Sequence, residues 1–328
     1  MKETCYLQEI SCVYNMRFRS FGTTGTTTSI LGYGAMALSL EAKPNDEALQ
    51  IVGEVLTQGI TFFDTANTYC QSPNELNHNE KLLACALQIF PCDRDNIIVA
   101  TKGGTVRTER GWEINGSPDF LYRSICDSYA ALGGSRPIPL WQHHWPDPRH
   151  SITDMMQAAA RAVEEKLVRF VGVGNYTLKQ LREARDVVDV VSIQNQYNFW
   201  NREAEHDGML EYCEQEHIVF LPWRPMGGLG LAQRLGEIKP LAELAAEHQV
   251  SPQCLVIAWH LARSPCILPI PGSGRLPNIL DCLSAVHVRL DPSEVSLLNA
   301  ISESDLPERK RPPAWDQMPP LTRKHING

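Results

Sequence analysis

The chain has no apolar run that could cross a bilayer. The stretch Cys254 to Ala262 spans nine residues and already contains His260, against the ~18 that a span requires. The N-terminus MKETCYLQEISC carries Lys2, Glu3 and Glu9 and lacks the apolar core of a signal peptide. Positive charge is also short: 30 basic against 38 acidic residues give a net charge of −8, which argues against a nucleic-acid surface. No two of the ten cysteines form a CxxC pair and no HExxH is present, so neither a disulfide scaffold nor a metal site is expected. With 43% hydrophobic residues, disorder of the whole chain is excluded. These absences leave a soluble, cytoplasmic protein of enzyme size with reduced thiols.

What is present is alternation. Met16–Phe21 and Thr26–Leu31 flank Gly22-Thr-Thr-Gly25, a hairpin signature. Strand-like runs then follow at Ile30–Ala35, Ile60–Asp64, Ile97–Thr101, Pro139–His143, Arg169–Val173, Val190–Ile193, Ile218–Leu221 and Ile267–Ile270. Helical spacing fills the gaps, with Asn45 expected as one cap, Ser151 and Asp154 as a capping box, and helices near 78–89, 118–132, 152–165, 177–187, 204–216 and 239–263. Eight strands alternating with helices build a parallel sheet that can close into a barrel, although an open doubly wound sheet has the same local pattern. The expected division is an extension over 1–15, a barrel over 16–300 and a Pro-rich tail over 301–328.

Polar residues at the strand ends favour the barrel. Asp64, Lys102, His144, Asn175 and Gln194 each sit at or just after a strand's C-terminal end, where barrel active sites are built. Thr61-Phe-Phe-Asp-Thr-Ala-Asn-Thr-Tyr69 adds a phenol five residues beyond the carboxylate. Carbonyl reduction by hydride needs a proton donor at the nascent alkoxide, and a tyrosine can serve if its pKa of ~10 is tuned. A neighbouring ammonium lowers the cost of the phenolate, a carboxylate keeps that ammonium charged, and a neutral imidazole can polarise the carbonyl. Any one of these residues alone reads as structural; together at successive strand ends they read as a site.

The motifs FDTANTY, TKGG, QHHWPD, VGVGNY, QNQYN, PWRPMGG and PIPGS resemble, in order, strand-end motifs of the aldo-keto reductase superfamily from about Met16 to Leu298. The resemblance implies a (β/α)8 TIM barrel that reduces a small aldehyde or ketone with NADP, NAD being the alternative cofactor. It implies Tyr69 as general acid, tuned by Lys102 and Asp64, and His144 as the family histidine. Strand alternation agrees in leaving His143 structural, since adjacent side chains face opposite ways. Tyr69, His144 and Trp145 are the expected substrate-pocket residues.

For the cofactor, the resemblance implies Asn175 and Gln194 on the nicotinamide carboxamide, with Asp64 close by, and Trp223 stacked on its ring. Gly34, Ala35 and Met36 are expected near the ribose. The loop Arg224, Pro225, Met226, Gly227, Gly228 and Gly230 is expected along the pyrophosphate. Pro271, Gly272, Ser273 and Arg275 are expected at the adenosine phosphate, and Asp281 at adenine. The chain departs from the family pattern at Gly174, Gly272, Asn278 and Cys282, which leaves Arg275 as the main cation for a 2′-phosphate. Gly32-Tyr-Gly-Ala-Met-Ala37 mimics a Rossmann fingerprint, but Pro44 and Asn45 place the next helix later, so it is read as a strand exit that opens no helix.

Trp112, Trp145, Tyr176, Trp200 and Trp315 are expected near the mouth, suiting a flat or apolar carbonyl compound. The motif style is similar to bacterial branches reducing pyridoxal or sugars. The basic run Glu308–Pro313 reads as solvated tail. Two rival readings remain: a cofactor-binding regulatory subunit with little turnover, and an isomerase using Lys102 as a Schiff base.

Overall fold

A computed structural model describes residues 16–109 and 111–307. The extension 1–15, the basic run beginning at Glu308, and Trp315 lie outside the described residues. The first hairpin pairs β1 (Phe18–Ser20) with β2 (Thr27–Ser29), Phe18 opposite Ser29. Next come seven parallel strands: β3 (Tyr33–Gly34), β4 (Phe62–Asp64), β5 (Ile98–Gly103), β8 (Ile138–His143), β9 (Val168–Gly174), β10 (Val190–Gln194) and β11 (Val219–Phe220). They neighbour one another in chain order. A second hairpin, β6 (Thr105–Thr108) with β7 (Gly111–Ile114), interrupts the series after β5.

The eighth expected strand, Ile267–Ile270, forms only an isolated parallel bridge from Ile267 to Phe220. Its hydrogen bonds nevertheless reach both edges of the sheet. Leu268 N donates to Phe220 O at 2.9 Å, while Gly32 N donates to Pro269 O at 2.9 Å and Gly34 N to Pro271 O at 3.0 Å. Residues 269 and 271 are prolines without an N–H to return, so pairing toward β3 runs one way and no regular ladder forms. The ring is a (β/α)8 barrel of the TIM type, preceded by a hairpin.

Alternation sets which side chains enter the barrel. Phe62, Ile98, Ala100, Leu140, Val191, Val219, Leu221, Leu268 and Ile270 pack together with Phe21 as one interior cluster. Phe63 and Val99, one residue out of phase, pack instead with Ile51 and Val52 of α2 (Asn45–Thr57) and Leu82 and Leu83 of α3 (His78–Ile89). Trp141 and Val171 join Met155 and Met156 of α5 (Ile152–Glu164) in the other outer layer. The interior parity of Phe62, Ala100 and Leu140 extends to Asp64, Lys102 and His144, which therefore point into the barrel's C-terminal mouth.

Several local expectations need correction. Residues 204–216 form two helices, Glu203–His206 and Met209–Gln215, parted at Gly208. Residues 239–263 likewise split into Lys239–Glu247 and Pro252–Arg263, with Gln249 at φ 56° between them. Asn45 does not cap α2; Pro44 occupies that place, and Asn45 Oδ1 meets His78 Nε2 at 3.1 Å. Ser151 does accept from Asp154 N at 3.0 Å, the forward half of the box. Contrary to the strand exit expected from Pro44 and Asn45, the GYGAMA segment opens a five-residue helix, α1 (Met36–Leu40).

Among the described residues Cys70, Cys85, Cys92, Cys126, Cys213, Cys254, Cys266 and Cys282 are free. No helix there is long and apolar enough to cross a membrane.

Candidate active site

At the end of β5, Lys102 is 1% exposed, so its charge must be satisfied by protein. It is: Nζ donates to Asp64 Oδ2 at 2.7 Å, to Thr65 O at 2.8 Å and to Tyr69 Oη at 3.0 Å. These three acceptors use all three ammonium protons. Burial disfavours the ammonium, but Asp64 and Tyr69 outweigh it and raise its pKa above the ordinary lysine value. Asp64 in turn accepts from Gln194 Nε2 on its second oxygen at 2.7 Å. One polar chain thus runs Gln194–Asp64–Lys102–Tyr69 across β10, β4, β5 and the loop after β4.

Tyr69 departs from the simplest expectation. Lys102 does pull its pKa down, but burial is the larger influence and the net direction is up. The phenol is held protonated, a donor rather than a base.

His144 follows β8, and its N–H still pairs with Gly103 O at 2.8 Å, so alternation carries one residue past the strand. Its ring stands edge-on to Tyr69, centroids 6.2 Å apart. Burial, Lys102 and His143 together push its pKa well below the ordinary value, so the imidazole is neutral. His143 faces away: its Nδ1 meets Tyr176 Oη at 2.7 Å, and it stacks on Trp141. Burial brings its pKa down to about 3. Tyr176 is therefore a buried partner of His143 and does not stand at the mouth as the sequence implied.

Asp147 anchors the loop that carries His144 and Trp145. It accepts from Gly116 N at 2.8 Å and from Arg149 N and Nε at 3.0 and 2.8 Å. Burial alone would raise its pKa, yet Arg149 and these backbone donors hold it down at about 2. Asp147→Asn is expected to cost about 2 kcal/mol at neutral pH. A depressed carboxylate stabilises fully above its unfolded pKa of 3.8 and loses that contribution as pH falls through about 2. Melts of both proteins at pH 7 and pH 2 should therefore show a gap that closes; a constant gap would contradict the assignment.

Above these groups opens a cleft with about 1310 Å³ of empty space, counted out into the solvent at its mouth. Of the expected residues, Gly34, Met36, Asp64, Tyr69, His144, Trp145, Asn175, Gln194, Trp223, Arg224, Pro225, Met226, Gly228, Gly272 and Ser273 line it. Trp112 lines it as well, whereas Trp200 packs against the Gly227 loop. The outward parity of Val171 and Val173 would send Asn175 away from the cleft, but its left-handed φ of 62° breaks the alternation.

Donors and acceptors left over in this wall match a carboxamide. Asn175 spends its oxygen on Trp223 Nε1 at 2.9 Å and one N–H on His144 O at 2.9 Å, keeping a second N–H. Gln194 spends an N–H on Asp64, and among the described residues its Oε1 accepts no hydrogen bond. One donor and one acceptor are what a carboxamide needs. The indole of Trp223 offers an aromatic face beside them.

Other expected residues are placed elsewhere. Ala35, Gly227, Gly230, Pro271 and Arg275 are not among the residues that line the cleft; Ala35 and Pro271 are buried, and Arg275 is exposed. Asp281 bonds Ser251 Oγ at 2.5 Å on the neighbouring helix, and Cys282 is buried in the outer core. Gly272 has a steric reason: a Cβ there would lie 2.3 Å from Gly34 O, so a larger residue has no room. At Gly174 a Cβ would come 2.9 Å from His144 O, so any side chain there would force the backbone to shift.

Ala37, Glu41, Thr105, Ala232 and Ile270 also line the cleft without having been anticipated. Ile270 was legible as a strand residue; the others sit in loops and short elements that carry no periodic signal. Among the described residues, no group of three or more His, Cys, Asp or Glu side chains converges to hold a metal.

A barrel with a buried carboxylate, ammonium, phenol and neutral imidazole at its C-terminal mouth defines an oxidoreductase-like site. The aldo/keto reductase family model matches residues 30–303, and the chain belongs to that family. It is 32% identical over 286 residues to an uncharacterized oxidoreductase of Schizosaccharomyces pombe, covering 85% of this chain and 89% of that one. It is 29% identical over 293 residues to the pyridoxine 4-dehydrogenase of Escherichia coli, covering 85% and 97%. Among solved structures, a thermostable aldo-keto reductase in complex with the inhibitor epalrestat superposes with a TM-score of 0.74 at 25% identity, covering 87% and 99%. The glycerol dehydrogenase of Gluconobacter oxydans shares the fold, with a TM-score of 0.73 at 21% identity over 87% and 93%.

Proposed function

We propose that the chain reduces an aldehyde or ketone to an alcohol, with Tyr69 as general acid and NADP as cofactor. The observation that carries this reading is the Lys102 ammonium bonded at once to Asp64 and Tyr69 on the cleft floor. Asn175 and Gln194 would hold the nicotinamide carboxamide, with Trp223 against the ring. The Gly34–Met36 and Arg224–Gly228 segments and the residues from Pro271 to Arg275 would take the ribose, pyrophosphate and adenosine phosphate. When bound, the cofactor supplies a hydride.

This chain's residues do the rest. His144, neutral, donates a hydrogen bond to the carbonyl oxygen and polarises it. Tyr69 Oη passes its proton to that oxygen as alkoxide character develops. Lys102 then faces the phenolate so formed, and Asp64 with Gln194 keeps the ammonium in place. Because Lys102 donates to three acceptors and its pKa is raised, it is a poor Schiff-base nucleophile.

Trp112 and Trp145 wall the cleft near Tyr69, which favours a flat or apolar substrate; pyridoxal is the first candidate, given the Escherichia coli relative. The test is a panel of carbonyl compounds, including pyridoxal and aldoses, run in stopped flow with NADPH and NADH in parallel. Oxidation with at least one compound is expected. Cofactor binding with no oxidation by any of them would point to the regulatory-subunit reading.

A further inference from the structure

Thr105 is the first residue of β6, 2% exposed, and borders the cleft beside His144. Its Oγ1 lies 3.3 Å from His144 Nδ1 and 3.0 Å from Thr68 Oγ1. The three groups form a short chain whose proton direction is not visible in heavy-atom positions. The surroundings fix it. Thr68 is fully buried, and among the described residues its hydroxyl has Thr105 as its single hydrogen-bond partner.

If Nδ1–H donated to Thr105, Thr105 would donate to Thr68, and the Thr68 proton would be buried with no acceptor, which is costly. In the opposite sense every proton is placed: Thr68 donates to Thr105, and Thr105 donates to Nδ1. His144 Nε2, on a ring that lines the cleft, makes no hydrogen bond among the described residues.

We propose that Thr105 is a positioning residue, whose hydroxyl, oriented by Thr68, keeps the His144 proton on Nε2, the nitrogen left for the substrate. This rests on the reductase reading for its consequence, but the tautomer itself is a property of the free protein. An imidazole with its proton on Nδ1 would present a lone pair to a carbonyl oxygen and repel it; the Nε2–H form donates. The sequence singled out His144 but held nothing to single out Thr105.

The experiment is 15N NMR of the full chain, labelled at histidine, at neutral pH without cofactor, with His144→Gln used only to assign the signals. A protonated and a bare ring nitrogen are well separated in such spectra. In the wild type, Nε2 is expected as the protonated nitrogen and Nδ1 as the bare, hydrogen-bonded one. Thr105→Val should move the Nδ1 signal and mix the tautomers, and Thr105→Ser should restore the wild-type pattern. With an accepted carbonyl compound, Thr105→Val should lower kcat by roughly tenfold, less than the about 10²–10³ lost with a whole oxyanion donor.

A wild-type ring protonated on Nδ1, or a Thr105→Val spectrum identical to wild type, would overturn the proposal. If Thr105→Val does not fold, the wild-type spectrum and Thr105→Ser still decide it. Should the tautomer be as expected while no carbonyl is reduced, the positioning role stands and the reductase reading is the one that fails.

Discussion

Tyr69→Phe is expected to lower carbonyl reduction roughly 10²–10⁴-fold, the range for losing a general acid, while cofactor affinity stays within a few-fold. The phenol is almost fully buried, 8% exposed, and its oxygen is 3.0 Å from Lys102 Nζ. Removing that oxygen leaves the ring, the cleft wall and the Lys102–Asp64 pair in place. Binding is read from quenching of tryptophan fluorescence, with Trp223 on the cleft wall as the reporter. Wild-type pH dependence supplies a second readout. Burial raises the Tyr69 pKa, so the donor form prevails at neutral pH and the reduction rate should hold flat there, falling only as alkaline pH removes the proton. Alcohol oxidation needs the phenolate and should rise with pH instead. Full activity in the Phe variant would remove Tyr69 from the mechanism.

The sequence made the strand ends legible because two periodicities coincide there. Alternation with period 2 told His144 from His143, and the structure puts Phe62, Ala100 and Leu140 on one side and Phe63, Val99 and Trp141 on the other. That logic ends where regular backbone ends. Asn175 reaches the cleft only through a left-handed φ, and its place came from motif resemblance rather than parity. The hairpin β6–β7 brings Thr105 and Trp112 to the cleft on strands of four residues each, too short and too polar to announce themselves. Pro269 and Pro271 weaken the eighth strand by removing donors, although its apolar residues read as a strand. Glu41 follows the unanticipated helix α1, so its place on the cleft wall was hidden with it. Tyr69 shows a different limit: sequence identified the ammonium that lowers its pKa, but the depth of burial that outweighs it is a tertiary property.

Lys102→Met is expected to abolish reduction and also to destabilise the fold, and the two losses can be separated. The wild-type ammonium is buried with the Asp64 carboxylate 2.7 Å away. Removing one member of a buried ion pair leaves the other uncompensated and costs about 3–5 kcal/mol. Gln194 Nε2, 2.7 Å from Oδ1, is a neutral donor and cannot replace a full charge. The methionine fills the apolar stem's space, so little of the loss comes from a cavity. Adding Asp64→Asn removes the stranded carboxylate, and the double variant should regain most of the lost Tm, since a buried pair exchanged for neutral groups is often nearly neutral for stability. Activity should not return with it, because a phenolate at position 69 would then form in a buried site with no cation 3.0 Å away to receive it. The outcomes divide cleanly under thermal melts and single-turnover assays. A double variant as unstable as Lys102→Met would mean that the lysine's bonds to Thr65 O and Tyr69 matter more to folding than the charge pair does. A stable double variant that still reduced carbonyl compounds at the wild-type rate would mean that Tyr69 works without a cation, and the polar chain from Gln194 to Tyr69 would then be architecture alone.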